Sequence, residues 1–172
     1  MLIEDQPRNV WERLISAETC TYYFGDLAGS YTRQKQIVTF LSLFLSFSAV
    51  ITVLLKVPAW IPALMSIVVT LAAAYTVAFN LDQKTRTMAE LNHSWAEVAS
   101  GYERIWENPD TAESGALYSQ LEEKVRDLSM LAANEAPNDP KRMVKWKNRV
   151  LELRNVQQVQ STKISPSPQE QK

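Results

Sequence analysis

The sequence predicts an all-α membrane protein, a two-helix transmembrane hairpin with a cytoplasmic helical bundle. Three observations carry this expectation. Two adjacent runs, Gln36 to Leu55 and Val57 to Leu81, contain no Asp, Glu, Lys, Arg or His over 20 and 25 residues. The segments on either side place apolar residues at alternating spacings of three and four, the period of one helical face. Basic residues flank the apolar runs and are scarce between them. Average composition conceals this pattern: mean hydropathy is slightly negative and the formal net charge is −1, because the apolar residues are concentrated in one part of the chain.

In chain order, residues 1–35 read as an N-terminal cytoplasmic amphipathic helix. Pro7 suits a first turn, and Val10, Leu14, Ala17, Thr21, Phe24, Ala28 and Tyr31 form a face that needs a partner. Gly25 and Gly29 weaken it locally and allow a bend. Tyr22, Tyr23, Phe24 and Tyr31 lack interleaved cations, so they read as packing or interfacial residues and not as a base-stacking surface. Nucleic acid is not an expected partner.

Residues 36–81 form the expected transmembrane hairpin, with spans at about 36–55 and 60–81. A helix rises about 1.5 Å per residue, so some 20 apolar residues cross a hydrocarbon core of roughly 30 Å. A secretory signal would place a short basic region directly before a short apolar run. Here 35 mixed-charge residues precede a full-length one, so the first span is expected to be retained. Lys56, Pro58, Trp60 and Pro62 leave room only for a tight turn at one surface, which makes the spans antiparallel. Pro58 stops the first helix, Pro62 fits the first turn of the second, and Trp60 suits the headgroup level. Arg33 and Lys35 before the first span and Lys84 and Arg86 after the second outnumber Lys56 in the turn, which puts both termini in the cytoplasm.

Neither span carries Asp, Glu, Lys, Arg or His, which disfavours proton relays and ion-coupled pumping. Each carries small hydroxyl residues in register. Thr39, Ser42 and Ser46 fall within about 60° of one another at ~100° per residue, while Phe40, Phe44, Phe47 and Ile51 form another stripe. In the second span Ser66, Thr70, Ala73, Val77 and Asn80 share a face. Such faces serve close helix packing or, in an oligomer, the wall of a water-filled lumen. A single hairpin cannot enclose one.

Residues 82–135 read as a cytoplasmic helical hairpin. Met88, Leu91, Trp95, Val98, Tyr102 and Ile105 continue the three-four alternation for almost three heptads, marking a cytoplasmic oligomerisation face on a helix expected to run straight out of the second span. Asn108 and Pro109 end it. Asp110 with Glu113 supplies a capping-box-like start for the next helix, whose apolar side is Leu117, Leu121, Val125, Leu128 and Leu131. Together with the N-terminal helix these make a small bundle. Residues 82–135 carry eleven acids against five bases, and residues 136–172 eight bases against three acids.

After a linker at Pro137, Asn138 and Asp139, with Asp139 and Pro140 as N-cap and first turn, residues 140–156 form a basic amphipathic helix. Met143, Trp146, Val150 and Leu153 lie on one side. Lys141, Arg142, Lys145, Lys147, Arg149 and Arg154 populate the rest, the first five of them candidates for anionic-lipid or phosphate contact. The helix can pack on the bundle, lie on an anionic leaflet or meet a phosphate-bearing ligand. Residues 157–172, rich in Gln, Ser and Pro, offer nothing to bury and read as a disordered tail.

Catalytic signatures are absent from the sequence. The four glycines form no phosphate-cradling loop, and Cys20 and His93, each the sole residue of its type, supply neither a metal set nor a nucleophile triad. Glu122 and Glu123 read as a solvated helix face. No enzyme activity and no cofactor are expected.

The Tyr22, Tyr23 and Tyr31 group before the first span, the Pro58-Ala59-Trp60 turn, and the Leu91 to Tyr102 stretch on a helix that leaves the second span through Asp82-Gln83-Lys84-Thr85-Arg86 resemble the SLATT family. These are the SMODS and SLOG-associating two-transmembrane effector domains of prokaryotic conflict systems. The resemblance covers about residues 8–153. It implies a defence role at the prokaryotic inner membrane: an effector that senses infection directly, or through a nucleotide second messenger or partner protein from a neighbouring gene, then assembles as a homo-oligomer and breaches the bilayer. A second function compatible with the residues is a membrane-anchored scaffold that recruits a partner through its cytoplasmic helices.

Overall fold

The computed structural model describes residues 6–54, 58, 60–109 and 111–164. Among them every regular element is an α-helix: α1 (Gln6–Leu54), α2 (Trp60–Ala78), α3 (Leu81–Glu107), α4 (Ala112–Glu135) and α5 (Pro140–Ile164). The chain divides into two compact units, one formed by the residues up to Phe24 together with Leu91 onwards, the other by Gly25–Glu90.

The expected N-terminal helix and first apolar run are one helix. No proline interrupts the sequence between Pro7 and Pro58, and α1 continues through Gly25 and Gly29 without a break. Hydroxyls inside it donate back to the preceding turn, Thr19 to Ile15 O at 2.7 Å and Thr32 to Ala28 O at 2.9 Å. These groups are satisfied within the helix itself. Lys56, Val57 and Ala59 of the expected turn lie outside the described residues. Pro58 accepts the amide of Ile61 at 3.0 Å, and Pro62 falls in the first turn of α2 as its missing N–H allows.

One expectation is corrected at the end of α2. The second apolar segment does not run straight on, because Phe79 and Asn80 separate α2 from α3 and Asn80 adopts a left-handed backbone with φ 47°. Asparagine tolerates that conformation through its short polar side chain, and its Nδ2 donates to Gln83 Oε1 at 2.7 Å. Asn80 is therefore a junction residue and not part of a continuous small-polar face.

In the Gly25–Glu90 unit, Leu27, Leu81 and Met88 are buried. Val38, Ser42, Leu45 and Ser48 of α1 and Met65, Val69, Ala72 and Thr76 of α2 are partly covered. Their three-four spacing is that of helices packing along one line. Lys35 and Asp82 form an ion pair at 2.5 Å.

In the other unit the core is built from Val10, Leu14, Ala17, Tyr23 and Phe24 of α1, the inward face of α3, and Leu121, Leu128 and Val150. Gly101 lets α3 and α4 approach closely: a Cβ there would sit 2.8 Å from both methyl carbons of Leu121. The cap of α4 is Thr111, whose hydroxyl accepts the Ser114 amide at 3.3 Å. Asp110, the expected cap, lies outside the described residues. Ser114, which donates to Asn108 O at 2.6 Å, takes the place Glu113 was expected to fill. Leu131, expected on the apolar side of α4, is 41% exposed. The buried line of α4 runs through Ser114, Leu121 and Leu128, and Leu131 falls off it.

Asp139 caps α5, accepting the Arg142 amide on Oδ1 at 3.0 Å. The helix extends further than the sequence suggested, to Ile164, because Val156 to Ile164 contains no proline or glycine and glutamine is a fair helix former. Residues 165–172 of the expected tail lie outside the described residues.

Candidate functional site

The apolar segments come first. The large side chains Ile37, Phe40, Leu43, Phe44 and Phe47 of α1 and Leu64, Ile67, Leu71 and Val77 of α2 are exposed. No part of the most apolar window of α2 is buried within the chain. By length and composition one helical stretch, beginning at Trp60, is apolar enough to cross a membrane. Exposed apolar area of this extent marks a surface that meets something other than water.

Of the expected small-polar face, Thr39, Ser46, Ser66 and Thr70 are exposed and Ser42 is half-covered. Their hydroxyls are not left searching for partners. Ser46 donates to Ser42 O and Thr70 to Ser66 O, each at 2.8 Å. Donation to the carbonyl one turn back lets a hydroxyl sit in an apolar medium without an unmet donor.

The expected oligomerisation face is corrected. Met88, Leu91, Trp95, Val98, Tyr102 and Ile105 are each no more than 5% exposed. Heptad spacing reports that a helical face is covered but not by what. Here the chain's own helices cover it, so the face is not open to a second copy.

The basic helix turns its cations outward. Lys141, Lys145, Lys147 and Arg149 are exposed, and Arg142 is half-buried beside its cap Asp139 at 3.6 Å. Arg149 pairs with Glu152 at 3.1 Å. The opposite side packs on the unit: Val150 is buried, and Trp146 stacks on Tyr22 with centroids 5.5 Å apart and planes 10° from parallel. Leu153, expected on that side, is exposed.

Three polar links of this unit were not visible in the sequence. Arg154 of α5 grips both oxygens of Glu18 on α1 and reaches Glu103 on α3 at 2.9 Å. The guanidinium is held protonated more firmly than usual by the hydrogen bond to Glu18, against the opposing effect of burial. Glu122, expected to be solvated, accepts from Tyr102 at 2.7 Å and pairs with Arg13 at 2.9 Å. Burial first, and then the bond to Glu122, push the Tyr102 phenol above its ordinary range. Tyr23 donates to Pro137 O at 2.5 Å and accepts the Asp139 amide at 3.4 Å, fixing the linker before α5. Partners between 20 and 136 residues apart leave no local pattern in a sequence.

A cavity of about 740 Å³ opens in this same unit between α1, the second half of α4 and the start of α5. Its floor includes buried aromatic residues, Tyr23, Phe24, Trp95 and Tyr102, and its rim includes the exposed Ser16, Ser129 and Ala133. Cys20 lines it, and burial raises its thiol to about 11, which leaves little reactive thiolate at neutral pH. His93 is exposed and lies 3.3 Å from Glu97. Among the described residues no group of three or more His, Cys, Asp or Glu side chains is placed to hold a metal ion.

Comparison with known protein families, characterised proteins and solved structures finds no match to this chain.

Proposed function

We propose that this chain is a two-span protein of the prokaryotic inner membrane, with both termini cytoplasmic, and an effector of conflict or antiphage defence. In this reading it oligomerises through its hairpin and permeabilises the bilayer on activation. The observation that carries the proposal is the array of exposed phenylalanine, leucine and isoleucine side chains along residues 37–47 and 64–77. In water such an array would be an aggregation liability. In a bilayer it is the ordinary lipid-facing surface.

The SLATT resemblance supplies the defence context, and the back-bonded Ser46 and Thr70 supply surfaces suited to close interhelical contact. Outward lysines on α5 suit an anionic leaflet nearby. A scaffold working through Trp95 and Tyr102 is the weaker alternative, since both side chains are buried.

Membrane-potential dye measured after induced expression tests the proposal. Depolarisation is expected for the native chain and its loss for Ser42→Leu, Ser46→Leu and Thr70→Leu together, at unchanged membrane content. A potential unaffected by the native chain, or a depolarisation indifferent to these substitutions, contradicts a permeation path built on these faces.

A further inference from the structure

The left-handed turn at Asn80 brings together two residues that an unbroken helix would keep apart. Positions five apart on an α-helix point about 140° from one another. Across the turn, however, the Lys84 ammonium lies 5.9 Å from the centre of the Phe79 ring, within the roughly 6 Å at which a cation is attracted to an aromatic face. Asn80 itself holds the turn: its φ is 47°, its side chain donates to Gln83, and its carbonyl accepts the Lys84 amide at 3.1 Å. Phe79 packs against Tyr75 with ring centroids 4.5 Å apart, and both rings stay exposed, by 49% and 41%.

Cations gather at the same level of the Gly25–Glu90 unit. The ion pair of Lys35 with Asp82 sets α1 beside the start of α3. A helix rises about 1.5 Å per residue, so Arg33, Lys84 and Arg86, a few positions from that pair, stand within about 6 Å of it along the helices. Residues 33–35 and 82–86 together carry four bases and one acid. Among the described residues Lys35 is the only one of the four bases in an ion pair, and Arg33 and Arg86 are exposed. The single carboxylate of this band is already matched, so the band carries a surplus of positive charge.

The order of side chains along the unit narrows the partner. The apolar window of α2, none of it buried, is followed by the two exposed rings and then by the cations. Hydrocarbon, ring and charge in that order match the acyl chain, glycerol region and phosphate of a lipid. A soluble anion such as free phosphate would meet the cations and leave the exposed rings in water.

We infer that Arg33, Lys84 and Arg86, with the Tyr75 and Phe79 rings, form a binding surface for an anionic phospholipid, its phosphate against the cations and its upper acyl chain against the rings. The inference rests on the membrane-spanning part of the proposed function and not on permeation, defence or assembly.

Native mass spectrometry of the full chain, released from nanodiscs of equal phosphatidylglycerol and phosphatidylcholine content, tests it. The native chain should retain phosphatidylglycerol in preference to phosphatidylcholine. Lys84→Gln should lower that preference about fivefold, the value of one basic side chain near an anionic surface, and Lys84→Arg should keep it. Arg33→Gln, Lys84→Gln and Arg86→Gln together should remove it. Tyr75→Ser with Phe79→Ser withdraws the rings, keeps the charges and should lower retention of phosphatidylglycerol, with the helical circular dichroism unchanged. Lys141→Gln, Lys145→Gln and Lys147→Gln take as much charge from α5 and should leave the preference in place.

Equal retention of the two lipids by the native chain overturns the inference. So does a preference that survives the triple substitution at the band, one lost only on the α5 substitutions, or one indifferent to removal of the rings. A preference abolished by millimolar inorganic phosphate overturns it too, since the surface would then take a soluble anion. Recovery of the chain outside the membrane would overturn this inference and the proposed function together, whereas equal retention by a membrane-inserted chain overturns this inference alone.

Discussion

Arg154 donates from Nε to Glu18 at 3.0 Å and from a second nitrogen to the other oxygen of the same carboxylate, joining the last helix to the first across 136 positions of sequence. Its remaining arm reaches Glu103 on α3. One planar guanidinium thus ties three helices together, which a lysine could not reproduce.

Arg154→Ala strands Glu18, whose side chain is 20% exposed. Removing one partner of a fully buried pair costs about 3–5 kcal/mol. Partial exposure here brings the expected loss to about 2 kcal/mol. Denaturant unfolding monitored by circular dichroism measures it. Arg154→Met combined with Glu18→Met should recover most of the loss, since the carboxylate left behind, Glu103, has a side chain 44% exposed to solvent.

The contact of Gly101 with Leu121 makes a second expectation. Gly101→Leu forces side-chain atoms into occupied space and should destabilise by about 1–3 kcal/mol. Leu121→Ala alone opens a cavity and should cost about 2–5 kcal/mol. The double variant exchanges volume across the same contact, so its loss should fall below the sum of the two by about 0.5–3 kcal/mol. Simple additivity in a double-mutant cycle would mean that α3 and α4 do not meet at this point.

Alkaline pH should loosen the unit that holds Cys20 and Tyr102. Burial raises the Cys20 thiol from 9.0 to about 11, and burial with the Glu122 bond raises the Tyr102 phenol. For a group whose folded value is raised, the stabilising contribution is complete below the unfolded value and is lost as pH climbs through the folded one. For Cys20 that window runs from about pH 9 to about 11. Tm measured across this range should fall for the native chain and fall less steeply for Cys20→Ala. Equal slopes would show that the thiol is not desolvated.

The helical class was legible because period and length are local properties. Pro62 in the first turn of α2, Asp139 as a cap and the apolar side of α1 are all read from neighbours a few residues apart. What was not legible depends on distant residues. The alternation from Met88 to Ile105 declares a covered face, yet whether a foreign helix or the chain's own α1 and α4 covers it depends on tertiary packing. Glu122 looked solvated because Arg13 and Tyr102 lie far away in sequence. The left-handed turn at Asn80 carried only the weak signal of an asparagine between two helical patterns. The cavity at Trp95 could not be foreseen, since small residues on α1 and α4 carry meaning only once the helices face each other.

The central claim is that the exposed apolar segments cross a bilayer as a hairpin with both chain ends inside. Single cysteines placed on a Cys20→Ala background and treated with a membrane-impermeant maleimide test this most directly. In intact spheroplasts Trp60→Cys should be labelled, whereas Glu12→Cys and Glu107→Cys should react only after the membrane is opened. Labelling of Glu12→Cys or Glu107→Cys in intact spheroplasts, or recovery of the chain in the soluble fraction, would contradict the account.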